Sequence, residues 1–367
     1  MVEVQVRTAG GEYQVFIGRN LYESNLGDFL SGKGYGKLVV VSHSRIVDLH
    51  GGRLMAALQR IGDDAIRIEH FFFPEGEKYK TMQTLWKGYR FLLDEDVSRS
   101  DALLAFGGGV VGDMAGYLAS SYLRGVDYLQ VPTTLMAMVD SSIGGKVGID
   151  LPGAKNAVGA FYQPQAVYCD LDVLESLPER ELSSGLAEVA KYGFLYDPML
   201  LHYVETRDAL GGKEESEAII ARCAAIKSKV VEKDERDLSG ERAILNYGHT
   251  FGHALESSTS YQLLRHGEAV AMGMIMASRT AELTGLAEGG LTDLHLKILR
   301  PLLSKVAIPD NLDLEKAVIN MKTDKKKTRD LRFVLLEEPQ KPHLVDSVAE
   351  EVVIQAMRET LERLKGV

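Results

Sequence analysis

Four residues, Glu188, His249, His253 and His266, have the types and spacing of candidate ligands for a divalent metal. Glu188 lies in Ser184-Gly185-Leu186-Ala187-Glu188-Val189-Ala190-Lys191-Tyr192, three positions before Lys191, so on a helix the two share a face. His249 and His253 lie in Asn246-Tyr247-Gly248-His249-Thr250-Phe251-Gly252-His253, four apart and again on one helical face. His266, in Arg265-His266-Gly267-Glu268, starts the next helical pattern. One carboxylate with two or three imidazoles suits zinc, cobalt or a similar divalent ion, and three protein ligands leave a coordination position open for chemistry. Spacing alone argues weakly. A HxxxH pair is more often unrelated surface or core histidine, and most helical glutamates are simply solvated. The glutamate of HExxH is missing, which disfavours a zincin protease.

A second cluster suits phosphate. Phe106-Gly107-Gly108-Gly109-Val110-Val111-Gly112-Asp113 follows a predicted strand and opens a predicted helix. Glycines let the backbone approach a pyrophosphate, and the helix N-terminus offers free N–H groups and a favourable dipole. The run is not the GxGxxG fingerprint, and a tight packing turn is the competing reading. Further on come Pro132-Thr133-Thr134, Asp140-Ser141-Ser142, Ile143-Gly144-Gly145-Lys146 and Gly153-Ala154-Lys155-Asn156. A loop this rich in Gly, Ser and Lys can hold a phosphate through backbone donors and a lysine. A merely solvated loop is the alternative.

These residues need elements to position them. The first half alternates strand and helix signals. Val2–Val6 and Glu12–Ile17 suggest a hairpin; Lys37–Ser42, Ala65–Phe73, Asp101–Phe106 and Tyr128–Val131 read as strands; Leu54–Ile61 and Thr81–Asp94 read as helices. The alternation implies an open, mostly parallel α/β sheet, Rossmann-like. From about Pro178 the patterns are helical: Glu181–Phe194, Ser216–Val231, His249–Ser258, Glu268–Thr284 and Leu291–Lys305, with Leu331–Leu336 a strand-like exception. The expected organisation is an α/β nucleotide-binding domain over 1–177 and an all-helical or mostly helical metal- and substrate-binding domain over 178–367.

Composition narrows the class. The chain has 367 residues, 45% hydrophobic and 26% charged, enough for two domains with ordinary globular cores. A net charge of −10 argues against a general nucleic-acid binder but leaves room for a local basic pocket. Two cysteines without a CxxC pair argue against a disulfide framework or a cysteine metal site. No apolar run approaches the roughly 20 residues of a membrane span, and the N-terminus lacks the pattern of a signal peptide. A cytoplasmic location is expected.

Taken together, Phe106–Gly116, Tyr122–Gly125, Pro132–Asn156, Gly159–Pro164, Leu177–Gly193, Leu245–Glu256, His266–Met274 and Asp324–Lys326 resemble the 3-dehydroquinate synthase family, in the family's order over most of the chain. The resemblance implies metal ligands at Glu188, His249 and His266, with His253 in proton handling, and Zn²⁺ or Co²⁺ as the ion. It implies NAD contacts at Glu77, Lys80, Gly108, Gly109, Val110, Asp113, Thr133, Thr134, Lys146 and Lys155. Substrate and catalytic contacts would fall on Asp140, Lys146, Asn156, Lys191, Lys227, Arg242, Asn246 and one or both of Lys325 and Lys326. Arg124 matches an arginine that the family offers to a neighbouring subunit, which implies a homodimer.

The implied substrate, 3-deoxy-D-arabino-heptulosonate 7-phosphate, carries a carboxylate and a phosphate, and so calls for several cations. The implied reaction oxidises one alcohol with NAD, eliminates phosphate, returns the hydride, opens the ring and closes the carbocycle by an intramolecular aldol step. One feature departs from the family. The loop Ser42-His43-Ser44-Arg45 lacks the acidic residue that reaches the cofactor ribose, and an arginine here leaves NADP as an alternative. Rival readings are another sugar phosphate cyclase, a metal-dependent polyol dehydrogenase, and a non-catalytic nucleotide sensor. His253 and the lysines at 325 and 326 favour the carboxylate-bearing substrate.

Overall fold

A computed structural model describes residues 1–61, 66–206, 213–259, 263–308, 312–324 and 332–365. They divide into two compact units, Met1–Leu177 with Ser216–Arg236, and Pro178–Glu215 with Asp237–Val367.

The first unit holds nine strands: β1 (Val2–Thr8), β2 (Gly11–Gly18), β3 (Lys37–Ser42), β4 (Arg67–Phe72), β5 (Ala102–Gly107), β6 (Asp127–Pro132), β7 (Lys146–Leu151), β8 (Ala154–Phe161) and β9 (Ala166–Asp170). Seven make one sheet in the order β1-β2-β9-β6-β5-β3-β4. Only β1 and β2 pair antiparallel; every other neighbour is parallel. Strand β5 is buried at every position, as a strand covered on both faces must be, and Ala-Leu-Leu-Ala-Phe supplies the apolar run for it. Helices α1 (Met82–Asp94) and α2 (Gly109–Ser121) contribute Leu85, Leu92, Val111, Met114 and Leu118 to a core with Val39, Val41, Phe71 and Leu103. Thr81 caps α1, its hydroxyl accepting from the Thr84 N–H at 3.3 Å.

The Gly/Ser/Lys stretch differs from the loop expected. Residues 146–161 form an antiparallel hairpin, β7 against β8, with its tip at Pro152-Gly153, where Gly153 has φ of 81°. Val147, Ile149 and Val158 give it its apolar side. Gly116 lets α2 pack directly on it, because a Cβ there would lie 2.4 Å from Val147 Cγ1.

The second unit contains α3 (Glu179–Leu195), α4 (His249–Ser258) and α5 (His266–Leu283). Helix α5 is buried on nearly every side, consistent with its run of Ala, Gly, Met, Val and Ile. Two expectations need correction. The unit is not all-helical, because β10 (Arg332–Leu336) pairs antiparallel with β11 (Pro342–Asp346). Residues 216–236, expected in the helical domain, belong to the first unit. There Ser228 Oγ donates to the Gln5 carbonyl at 2.6 Å, and Glu235 accepts from the Ala9 N–H and the Gln163 side chain, both at 2.9 Å. Among the described residues no helix is long and apolar enough to cross a membrane.

Candidate functional site

In the second unit the sequence brings Glu188, His249 and His266 together, with one possible ligand atom of each within 4.8 Å of the others. Glu188 Oε1 lies 3.7 Å from His249 Nε2 and 3.7 Å from His266 Nε2. Donors about 2.1 Å from a tetrahedral ion stand roughly 3.4 Å apart, so the spacing nearly matches a metal's demand. The carboxylate is fully buried, and neither oxygen has a hydrogen bond of good geometry, although the Lys191 ammonium contacts one of them. A buried carboxylate in that condition is costly unless a cation completes it. The set therefore fits a divalent ion.

The imidazoles are prepared for the same task. His249 Nδ1 lies 3.2 Å from the Tyr247 carbonyl. If Nδ1 donates there, Nε2 presents its lone pair toward Glu188. Burial, then the charges of Lys191, His266 and His253, pushes the His249 imidazole well below its ordinary range. A neutral ring is the form that binds metal. His253 is exposed, with its ring 5.6 Å from that of His249 and 6.1 Å from that of His266. It borders the centre without entering the Glu188 set.

Close helix packing makes this geometry possible. A Cβ on Gly267 would fall 2.0 Å from the Ser184 carbonyl oxygen, and the Gly267 N–H donates to Ser184 Oγ at 3.0 Å. A Cβ on Gly273 would lie 2.1 Å from the Gly248 carbonyl oxygen. The first contact brings the start of α5, with His266, against α3, with Glu188. The second seats α4, with His249, on α5. Arg180 adds a two-pronged bond to buried Glu268, at 2.5 and 2.8 Å, while Glu268 also accepts from the Arg265 N–H at 2.8 Å and caps α5. Arg242 is buried in this unit and Asn246 is exposed. Lys325 and Lys326 lie outside the described residues.

In the first unit, Gly108 precedes α2 and caps it with no side chain, so the first-turn N–H groups carry the helix's positive end. Val110 sits in that turn. A Cβ on Gly109 would approach Ser141 Oγ to 3.0 Å, and one on Gly108 would approach Thr134 Cγ2 to 3.1 Å. The hydroxyls of Thr133 and Ser141 are buried without a hydrogen-bond partner. Open backbone donors and unsatisfied hydroxyls suit an oxygen-rich anion such as a dinucleotide's pyrophosphate.

One turn into α2, Asp113 accepts from Lys80 Nζ at 2.5 Å; Lys80 also donates to the Asn156 side chain, and Glu77 stands 4.0 Å from Lys80 and 3.8 Å from Lys155. Burial opposes the Lys80 charge, but Asp113 and Glu77 outweigh it and hold its pKa above the ordinary value. Asn156 adopts φ of 50°, a left-handed conformation that asparagine tolerates. Lys227 donates to the Asp140 carbonyl at 2.5 Å and to its carboxylate at 2.7 Å. Lys146 is exposed at the start of β7. Leu123 and Arg124 both have positive φ, 50° and 68°, in an exposed turn after α2.

The sequence reading missed two features of the metal region. Gly267 stands beside His266, and its role as a contact point was legible only as a glycine inside a helical pattern. Glu256 lies three residues after His253 and seven after His249, on the same helical face, and its Oε1 is 3.6 Å from His266 Nδ1.

An α/β sheet unit with an anion-suited glycine turn, and a helical unit with a carboxylate and two imidazoles, define a class of protein equipped for a nucleotide and a divalent ion. Family models narrow the class: 3-dehydroquinate synthase N-terminal matches residues 70–184, and 3-dehydroquinate synthase C-terminal matches residues 185–327. The 3-dehydroquinate synthase of Vibrio atlanticus (strain LGP32) is 39% identical over 362 residues, 97% of this chain and 98% of the relative. This chain belongs to the 3-dehydroquinate synthase family. Its fold recurs in a 2-deoxy-scyllo-inosose synthase solved with carbaglucose-6-phosphate, NAD+ and Co²⁺, with a TM-score of 0.87 at 24% identity over 98% of this chain and 99% of that one. It recurs again in the 2-epi-5-epi-valiolone synthase of Streptomyces hygroscopicus subsp. jinggangensis 5008, solved with NAD+ and Zn²⁺, with a TM-score of 0.87 at 23% identity and 99% coverage of both chains.

Proposed function

We propose that this protein converts 3-deoxy-D-arabino-heptulosonate 7-phosphate to 3-dehydroquinate and phosphate, a carbon–oxygen lyase step of the shikimate route to aromatic amino acids. Family membership over nearly the whole chain supports the activity. The observation that carries the chemistry is the buried Glu188 carboxylate, without good hydrogen bonds and 3.7 Å from two imidazole nitrogens. In the reaction one secondary alcohol is oxidised, phosphate is eliminated, the ketone is reduced again, the ring opens and an aldol closure forms the carbocycle. Hydride leaves and returns, so the net redox change is zero.

When bound, Zn²⁺ or Co²⁺ would supply Lewis acidity toward the substrate hydroxyls and NAD would supply a hydride acceptor. Glu188, His249 and His266 would hold the ion. The N-terminus of α2, with Gly108, Gly109, Val110, Thr133 and Thr134, would hold the pyrophosphate. Glu77, Lys80, Asp113 and Lys155 would flank the rest of the cofactor. Lys146, Lys191, Lys227 and Arg242 would bind the substrate's anions, joined by Asp140, Asn156, Asn246, Lys325 and Lys326. His253, exposed beside the metal ligands, is suited to moving a proton. Arg45 makes an exposed ion pair with Glu75 at 3.5 Å, and NAD is the proposed cofactor. The exposed Arg124 turn is the surface we assign to a homodimer, and the cytoplasm is the proposed location.

The test supplies purified protein with NAD and Zn²⁺ or Co²⁺, adds the heptulosonate phosphate, and follows phosphate and NADH together, with sedoheptulose 7-phosphate in a parallel reaction. Phosphate release with dehydroquinate formed and no NADH accumulating is the expected result. Steady NADH accumulation would make it a dehydrogenase, and turnover of sedoheptulose 7-phosphate alone would make it a different cyclase.

A further inference from the structure

We propose that Glu256 is a positioning residue for the metal centre, acting through His266; the inference rests on the metal reading above. His266 Nε2 faces Glu188 Oε1 at 3.7 Å, and on the opposite side of the ring Nδ1 faces Glu256 Oε1 at 3.6 Å. An imidazole that gives its Nε2 lone pair to a metal keeps a proton on Nδ1, and that N–H needs an acceptor. Glu256 is a buried carboxylate, 2% exposed, at the place where the acceptor is needed. The present separation is ion-pair range, and a shift of about 1 Å would bring it to hydrogen-bond length.

Glu256, His253 and His266 also satisfy the distances of a metal-binding group. The two groups share His266, whose Nε2 faces Glu188 and whose Nδ1 faces Glu256, so Glu256 is explained as outer support for the first group. The two histidine ligands are then held differently. His249 has the neutral Tyr247 carbonyl at 3.2 Å from Nδ1, whereas His266 has an anion. A carboxylate partner raises ring basicity more than a carbonyl does, so Glu256 makes His266 the stronger donor of the pair. Helix geometry supplies the residue. Glu256 is seven positions after His249 on α4, so one helical face presents both a ligand and the support for the other ligand.

The test measures Co²⁺ affinity by chelator competition, together with the visible Co²⁺ absorption, for the intact chain, Glu256→Gln, His266→Ala and the double variant. Glu256→Gln should weaken Co²⁺ binding about 10- to 100-fold and alter the visible band. In the His266→Ala background the same change should cost nothing further. Glu256→Asp, which keeps the charge, should recover part of the affinity, and it stands in if the Gln variant fails to fold. Unchanged affinity and spectrum in Glu256→Gln would overturn the proposal, as would an equal loss with and without His266. If the unsubstituted chain binds no Co²⁺ at all, the metal reading fails and this inference falls with it.

Discussion

Two buried clusters, one in each unit, treat their charge differently. In the first, Lys80 is closed by Asp113 and Asn156, and Lys227 by Asp140, so the chain's own groups complete the polar network. In the second, Glu188 sits at zero exposure with the Lys191 ammonium against one oxygen but no hydrogen bond of good geometry to either, beside His249, whose imidazole burial holds well below its ordinary range. A fully hydrogen-bonded network can stand by itself, whereas a buried carboxylate with one ammonium contact and no hydrogen bond of good geometry has capacity left for a further cation. On the proposed function, the charges of the first cluster are closed by the chain's own groups, and the Glu188 cluster would be completed by an ion.

Four perturbations sharpen or break that contrast. The largest effect should come from Glu188→Gln, which removes the anionic ligand. Metal affinity should collapse and kcat/KM should fall by about 10³-fold or more, the scale of several kcal/mol of Lewis-acid assistance. Steady-state kinetics with metal titration checks this, and a change under tenfold would mean Glu188 is no ligand. Next comes Lys80→Met, which strands Asp113. Its cost should be about 3–5 kcal/mol in denaturant unfolding, equal with and without metal, because the network needs no ion.

Gly267→Ala puts a Cβ against the Ser184 carbonyl. We expect about 1–3 kcal/mol of destabilisation with weakened metal binding, read by thermal melts with and without Zn²⁺. The last perturbation is pH. Burial pushes His295 down to about 4, against an unfolded value near about 6.5. Its Nδ1 donates to the Leu291 carbonyl at 2.8 Å and its Nε2 accepts from the Tyr247 hydroxyl at 2.7 Å, both satisfied by a neutral ring. Between those values the unfolded chain binds the proton and the folded chain does not. Stability should therefore be full above about pH 6.5 and fall toward pH 4, by roughly 2–4 kcal/mol from this group. Unfolding curves at both ends check the slope, and His295→Gln should flatten it.

Much of this was legible in the sequence because local signals agreed with the fold. Lys37–Ser42 and His249–Ser258 have the bounds that their apolar patterns predict. The stretch from Lys146 to Phe161 was not legible as a hairpin. Its glycines look like loop residues, yet Gly148 and Gly159 serve close strand approach, with a Cβ on Gly159 falling 2.2 Å from the Val147 carbonyl oxygen. Ser216–Val231 read as one more helix of the second half because periodicity gives a helix its face but not its partner. The candidate ligand set was legible as residue types, and family resemblance selected among the histidines. Glu256 was hidden because its role depends on which nitrogen His266 turns toward it, which is a tertiary fact.

The most direct test of the central claim is metal-stripped protein supplied with NAD and the heptulosonate phosphate, assayed for phosphate release before and after Zn²⁺ or Co²⁺ is added. The account predicts no release from the stripped protein, full release at one ion per chain, and no restoration in Glu188→Gln. Full turnover by the stripped protein would contradict it.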